Sequence, residues 1–157
     1  MRHLGYTRVS TRSQDAKLQV DALVKSGVQE RDIFADVTSG SRTAISRPGM
    51  KKLLDYAKPG DTVVVTTRAV LDVEGANLAA TLTVDPGVPA GGAVVPRVEL
   101  VPVSGAPPQP GPSSWTVTSA HDGAVYDVTV SYEVSPDPAA QGTTVTPGPL
   151  TVALTQH

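Results

Sequence analysis

Residues 6–11, Tyr-Thr-Arg-Val-Ser-Thr, concentrate side chains that could do chemistry on a phosphate group. Transesterification at a phosphodiester needs a hydroxyl nucleophile at the end of a rigid element, and guanidinium groups that stabilise the charge gained by the attacked phosphate. Ser10 supplies such a hydroxyl, and Arg8 and Arg47 supply guanidinium groups. A structural interpretation stands beside this one, because serine after a strand is commonly a turn or cap residue and arginine a surface charge.

Strand and helix patterns alternate around this segment. A helix is predicted from a cap at Thr11 or Ser13 to Ser26, with Gly27 as its end, and a second helix is predicted to begin at Pro48. The predicted strands are Leu4–Val9, Asp32–Ala35 and Thr62–Val65. Because strands joined by helices run parallel with right-handed crossovers, the order predicts a partial parallel α/β sheet.

An ordered series of motifs resembles the catalytic domain of the serine recombinases, the resolvases and DNA invertases. Residues 6–11 resemble the family's Tyr-x-Arg-Val-Ser-Thr signature. The motifs that follow at similar spacing are Gln14, Leu18-Gln19, Ala22-Leu23, Asp36, Ser39-Gly40-Ser41, Arg47-Pro48-Gly49 and Gly60-Asp61. The resemblance covers residues 1–66 and implies a resolvase-like βαβαβ unit.

The resemblance also implies roles for the matching residues. Ser10 is implied as the nucleophile that forms a phosphoserine link to a DNA 5′ end, and Arg8 and Arg47 as ligands of the attacked phosphate. Supporting or phosphate-contacting positions are implied for Tyr6, Gln14, Gln19, Asp36, Ser39 and Arg68. No metal ion or cofactor is implied, and DNA is the implied partner of the basic front segment.

The chain departs from the family pattern after the third predicted strand. A Leu-Asp-Arg-Leu-x-Arg type segment, which supplies an aspartate and two arginines to the family's active site, is replaced here by residues 65–75. Arg68 lies near the expected position but out of register, and the next basic residue is Arg97. The family's dimerisation helix and DNA-binding region have no counterpart in the remaining pattern, so the catalytic centre is predicted to be incomplete.

Charge divides the chain near the same point. Residues 1–68 hold 12 of the 13 basic residues and 7 acidic ones, whereas residues 69–157 hold one basic residue, Arg97, and the other 8 of the 15 acidic ones. The basic part could meet nucleic acid, and the acidic part would be repelled by it. We therefore predict two modules, residues 1–66 and residues 69–157.

Other features of the composition restrict the class of protein. The chain has no cysteine, which excludes disulfides and thiolate metal sites. It shows no signal-like leader and no apolar run of membrane-spanning length, so no membrane association is expected. The expected location is the cytoplasm, with the virion as the alternative for a phage structural protein.

Residues 69–157 follow a different pattern, rich in Val, Thr, Pro and Gly. Over Ala124–Val134, apolar residues alternate with polar ones, which predicts a strand with one buried and one wet face. Asp122-Gly123 predicts a tight hairpin to a strand over Ser114–Ser119, with Trp115 and Val117 facing inward. The other predicted strands are Ala69–Val73, Leu78–Val84, Val94–Val103 and Leu150–Leu154. Together they predict an all-β, immunoglobulin-like antiparallel sandwich.

Three interpretations of function remain open. The first is a serine-recombinase-derived protein that acts on DNA, with an incomplete centre, so whether it is an enzyme is undecided. The second is a structural or binding protein, of phage origin for example, whose β-module binds a protein partner or self-associates. The third is a chimeric or artificial open reading frame, which would account for the change of composition near Thr66.

Overall fold

Two β-sheets and two α-helices make up the described part of the fold. The computed structural model describes residues 1–9, 13–37, 47–87, 94–105, 114–137, 139 and 151–157. The helices are α1 (Ser13–Lys25) and α2 (Pro48–Tyr56). The strands are β1 (His3–Val9), β2 (Ile33–Val37), β3 (Thr62–Val70), β4 (Ala79–Asp85), β5 (Val94–Ser104), β6 (Ser114–Thr118), β7 (Val125–Val134) and β8 (Thr151–Gln156).

The larger sheet is mixed and has the strand order β2-β1-β3-β7-β5. Strands β2, β1 and β3 run parallel, as the alternation of strand and helix predicts. Strand β7 then pairs antiparallel with β3 over its whole length, from Thr62↔Glu133 to Val70↔Val125. Strand β5 pairs antiparallel with the other edge of β7. The smaller sheet is antiparallel and has the order β6-β4-β8.

The two helices pack on opposite faces of the parallel strands. Leu53 of α2 is fully buried in a cluster with Leu4 and Tyr6 of β1. Leu23 of α1 packs with Val28 and Val64 in a second cluster. Because successive residues of a strand face opposite ways, Leu4 and Tyr6 lie on one face of the sheet while Gly5 lies on the other. Gly5 allows this close packing, since a Cβ there would lie 3.0 Å from Leu23 Cδ1.

The smaller sheet packs against the larger one through a separate core. This cluster joins residues of β4, β6 and β7, including Leu82, Trp115, Val117 and Tyr126, all of them buried. The predicted inward orientation of Trp115 and Val117 is confirmed. The coarse expectation of an α/β part with parallel strands and further antiparallel β-structure is likewise confirmed, but an immunoglobulin-like sandwich is not.

The hairpin predicted at Asp122-Gly123 is wrong, because β6 and β7 belong to different sheets. A one-turn 3-10 helix, Ser119–His121, follows β6, and the Thr118 N–H donates to Nδ1 of the buried His121 at 2.8 Å. The Gly123 N–H then donates to the Leu71 carbonyl at 2.9 Å. The turn residues therefore bond to the segment after β3, and the chain crosses from one sheet to the other.

Two further expectations about strands need correction. The predicted strand Ala69–Val73 does not exist as a separate element, because β3 continues to Val70 along its partner β7 and the chain leaves the sheet after that residue. The polar face of β7 is not wet at Asp127 and Thr129, which are 6% and 5% exposed. Strand β7 lies between β3 and β5, so side chains of both strands flank its polar residues.

The sheet also joins residues from both predicted modules, since β3 and β7 are hydrogen-bonded along their length. Residues 38–46, 106–113 and 140–150 lie outside the described residues. The module boundary stays a prediction about how the two segments fold when they are separated.

Gly49, in the first turn of α2, is expected to tolerate no side chain. A Cβ at this position would lie 2.6 Å from the Ala35 carbonyl oxygen and 2.9 Å from Asp36 Cγ. Since that oxygen belongs to the backbone of β2, a Gly49→Ala variant must shift the helix or the strand. We expect the free energy of unfolding, measured in urea, to fall by about 2 kcal/mol. Overpacking outweighs the gain of up to ~1 kcal/mol in helix propensity.

Gly60 provides the matched control for this substitution. It has φ +84°, and no atom lies within 4 Å of the place that a Cβ would take, so alanine there meets conformational strain but no steric overlap. The free energy of unfolding of the Gly60→Ala variant should be about 1 kcal/mol lower than that of the native chain. A Gly49→Ala variant as stable as the native chain would contradict the close packing of α2 on β2.

Candidate functional site

A cavity of about 200 Å³ lies where β1 and β3 separate. The two strands pair from His3↔Thr62 to Tyr6↔Val65, and the cavity lies beyond the last pair, toward their carboxyl ends. Ligands of open α/β sheets bind at this edge, outside the carboxyl ends of parallel strands. The lining residues are Arg8, Leu18, Gln19, Thr66, Thr67, Arg68 and Asp127.

Arg68 and Asp127 form a charged pair on one wall of this cavity. Arg68 Nε donates to Asp127 Oδ1 at 2.9 Å, and Arg68 Nη2 donates to Oδ2 at 3.1 Å. The two residues are direct partners in the register of β3 and β7, so the backbone holds the pair face to face. This two-point geometry orients the guanidinium group and offsets its charge.

Gln19 reaches the cavity from α1. The Thr7 hydroxyl donates to Gln19 Oε1, which ties the helix to the end of β1. Thr7 is 2% exposed, so this contact is fixed on the strand side. The Gln19 side chain, which lines the cavity, is therefore held in place by its hydrogen bond to β1.

Two threonine hydroxyls beside the charged pair are buried without a partner among the described residues. Thr66 Oγ1 and Thr129 Oγ1 make no hydrogen bond there, although the two residues are 6% and 5% exposed and are register partners across β3 and β7. A buried hydroxyl left unpaired costs roughly 1–3 kcal/mol. Thr66 is also one of the residues that line the cavity.

A second polar group lies around Asp36, at the end of β2. The Gly49 and Met50 N–H groups donate to its carboxylate at 2.8 and 3.0 Å, and the Tyr6 hydroxyl donates to it at 3.0 Å. Arg47 Nη1 donates to the Tyr6 hydroxyl at 3.5 Å. Asp36 thus satisfies two of the unpaired N–H groups at the start of α2 and fixes the helix to the sheet.

This environment changes the pKa of both acidic groups. Burial of Asp36 opposes its ionisation, but the N–H donors of Gly49 and Met50, with Tyr6 and Arg47, outweigh it and lower the pKa of its carboxyl group. Burial raises the pKa of the Tyr6 hydroxyl, against the opposing effect of Arg47. Asp36 is therefore an anion and Tyr6 a neutral donor at neutral pH.

The structure gathers the predicted site residues into these two groups. Arg8, Gln19 and Arg68 line the cavity, whereas Tyr6, Asp36 and Arg47 form the network at the start of α2. Arg8 is the register partner of Asp36 on the neighbouring strand, so it stands next to both groups. Ser10, Ser39 and the side chain of Gln14 lie outside what the structure describes. The catalytic or supporting role of each residue stays a prediction.

Asp127 and Thr66 are the site residues that sequence reasoning missed. The alternation along β7 places Asp127 on the wet face of a strand, and no local pattern shows that this strand pairs with β3. Thr66 belongs to a Val-Val-Val-Thr-Thr run that indicates a strand and nothing more. Both assignments depend on a pairing between residues about sixty positions apart.

The described ranges contain neither a metal-binding cluster nor a membrane-spanning helix. Within them, no group of three or more His, Cys, Asp or Glu residues is arranged to hold a metal ion. None of the helices in this part of the chain has both the length and the apolar character that crossing a membrane requires.

Known proteins resemble the front of the chain. It is 48% identical over 62 residues to the serine recombinase gin of Escherichia phage Mu, which covers 40% of this chain and 30% of that protein. It is 40% identical over 80 residues to the transposon Tn552 DNA-invertase BinR of Staphylococcus aureus, covering 51% and 38%. It is 47% identical over 62 residues to a DNA-invertase of Enterobacteria phage P7, covering 40% and 31%.

These alignments confirm the resemblance to serine recombinases and also show its extent. The chain spans between 30% and 38% of the length of these three relatives. The family model described as "Resolvase, N terminal domain" matches residues 3–82, which extends past residue 66 to include all of β3 and part of β4. Since that match covers just over half of the 157 residues, the chain belongs to the resolvase N-terminal domain family.

Proposed function

We propose that the chain acts on DNA as a recombinase-type protein, binding a backbone phosphate in the cavity at the carboxyl ends of β1 and β3. One observation carries this proposal: Arg8, Gln19 and Arg68, each predicted from the family resemblance, line the same cavity. Guanidinium groups and an amide are the donors that a phosphate oxygen takes. Membership of the resolvase N-terminal domain family supports DNA as the ligand.

Ser10 is the proposed nucleophile of this site. In the sequence it directly follows Val9, the last residue of β1, and comes two residues after Arg8. In the proposed step, the Ser10 Oγ–phosphorus bond forms and the bond from phosphorus to the 3′ oxygen breaks. The Ser10 hydroxyl loses its proton as Oγ attacks, the 5′ end becomes linked to the protein as a phosphoserine, the leaving 3′ oxygen takes up a proton, and no cofactor is consumed.

The site is proposed to be weaker than a complete recombinase centre. The sequence of residues 65–75 does not show the family's segment with an aspartate and two arginines, and Asp127 offsets the charge of Arg68. Removing one preorganised donor to a transition state costs roughly 10²–10³ in rate. We therefore expect phosphate binding and slow cleavage at most, with little strand exchange.

A covalent trapping assay tests the enzyme proposal. The native chain is incubated with nicked duplex DNA and then run on a denaturing gel, beside the Ser10→Ala variant. The native chain is expected to give a protein–DNA band that Ser10→Ala lacks, because alanine has no nucleophilic oxygen. Thr11→Ala is the matched control, since it removes a neighbouring hydroxyl and should keep the band.

The other interpretations predict different results. A structural or binding protein that acts through an immunoglobulin-like β-module, by self-association or a protein partner, predicts no Ser10-dependent band and no salt-sensitive DNA binding. A chimeric reading frame predicts that residues 69–157 fold as well alone as in the whole chain. Equal bands from the native chain and Ser10→Ala would end the enzyme proposal.

A further inference from the structure

Asp127 enters the candidate site from a strand that the family match does not include. The match ends at residue 82, whereas β7 spans Val125–Val134. Asp127 nonetheless lines the same cavity as Arg8 and Gln19, and it holds both Nε and Nη2 of Arg68. The carboxylate therefore occupies one of the two edges through which the guanidinium group can form a two-point contact with a phosphate.

We propose that Asp127 lowers the affinity of this site for phosphate by competing with the bound phosphate for Arg68. This inference rests on the proposed function, in which the cavity takes a DNA phosphate. A carboxylate presents two acceptor oxygens to a guanidinium group, as a phosphate does, so the two ligands exclude each other at the same edge. The remaining negative charge of Asp127 also repels an anion held by Arg8.

The structure makes this competition intramolecular and persistent. Asp127 is 6% exposed and lies directly opposite Arg68 in the register of β3 and β7, so it does not have to be ordered at each encounter. Thr66, two residues before Arg68, keeps a buried hydroxyl without a partner among the described residues on the cavity wall. The cavity is thus lined by an arginine that a buried carboxylate already engages.

Removing the charge of Asp127 should increase phosphate binding. A unit charge at close range, at an effective dielectric between that of the protein surface and that of bulk water, changes anion affinity roughly tenfold. We expect the full-length Asp127→Asn variant to bind a fluorescein-labelled duplex of about 30 base pairs roughly tenfold more tightly than the native chain in an anisotropy titration. The dependence of its affinity on salt should also steepen by roughly one released counterion.

Glu99→Gln is the matched control. Glu99 is exposed on β5 and pairs with Thr129, so it lies on the same face as Asp127, but it is not the carboxylate that holds Arg68. This variant removes the same charge and should change the affinity less than about twofold, because an exposed charge is screened. In the double variant Arg68→Ala with Asp127→Asn, the gain should disappear.

The outcomes are distinct from those of the covalent assay. Anisotropy measures reversible binding and needs no nucleophile, so the Asp127 inference can hold when the Ser10 band is absent and can fail when it is present. If Asp127→Asn does not unfold cooperatively, Asp127→Thr takes its place, since a β-branched side chain suits a strand. Equal affinities for the native chain, the folded Asp127 variant and Glu99→Gln would overturn the inference.

Discussion

The Asp36→Ala variant is expected to lose about 3 kcal/mol of its free energy of unfolding. Asp36 is 5% exposed and accepts three hydrogen bonds, from the Gly49 N–H, the Met50 N–H and the Tyr6 hydroxyl. Its removal leaves these donors without their acceptor, and each buried, unsatisfied donor costs about 1–3 kcal/mol. Because small domains are stable by about 5–15 kcal/mol, such a loss is visible as a large fall in the urea midpoint.

The contribution of Asp36 also depends on pH. Its pKa is lowered in the folded chain, so the carboxylate contributes stability above its unfolded pKa of about 3.9, and this contribution is lost as pH falls through the folded pKa. The difference in stability between the native chain and Asp36→Ala should therefore be constant between about pH 5 and 8 and should shrink below about pH 4. Urea unfolding at several pH values measures it.

Asp36→Asn is the matched control for this prediction. An amide keeps one acceptor oxygen for the N–H groups of α2 but carries no charge, so the loss should be about half that of the alanine variant. Some acid sensitivity should remain in both variants, because Asp61 also has a lowered pKa. Its burial opposes ionisation, but the Arg2 side chain and the Lys58 N–H outweigh it. An Asp36→Ala variant with native stability would show that α2 does not depend on this carboxylate.

The elements of the front half could be predicted because their signals are local. Gly27 has φ +88° and ends α1 two residues after Lys25, as a glycine after an amphipathic helix predicts. Pro48 begins α2. The parallel order of β1, β2 and β3 follows from the helices that join them. None of these features needs information from a distant part of the chain.

The pairing of the remaining strands could not be predicted in the same way. Alternating side chains show that β7 is a strand, but they do not show whether its neighbour is β6 or β3. The Asp122-Gly123 turn signal favours the nearer partner, and the structure joins the more distant one. The register of β3 and β7 also determines which side chains meet at the site. Arg68 lies opposite Asp127 because Thr66, two residues before it on β3, is paired with Thr129.

This long-range pairing leads to a second large effect, on chains divided at the predicted module boundary. Residues 1–66 alone are expected to show no cooperative unfolding transition. Such a segment lacks the end of β3 and all of β7, which pairs with β3 at every position from Thr62 to Val70. A domain of about 60 residues buries a smaller share of its surface than a larger domain does even when intact, so the loss of one sheet edge is not offset elsewhere.

Residues 69–157 alone should fail for a related reason. Without residues 62–68 of β3, most of this edge of β7 is unpaired, and Asp127 and Thr129, which are buried in the full chain, lose the strand that pairs with them. Circular dichroism in a urea titration measures both segments beside the full chain, and an equimolar mixture serves as the control, since strand pairing between the segments should restore part of the transition. A sharp transition from residues 69–157 alone would instead favour the chimeric interpretation, because the β-module would then hold its fold without the recombinase-like segment.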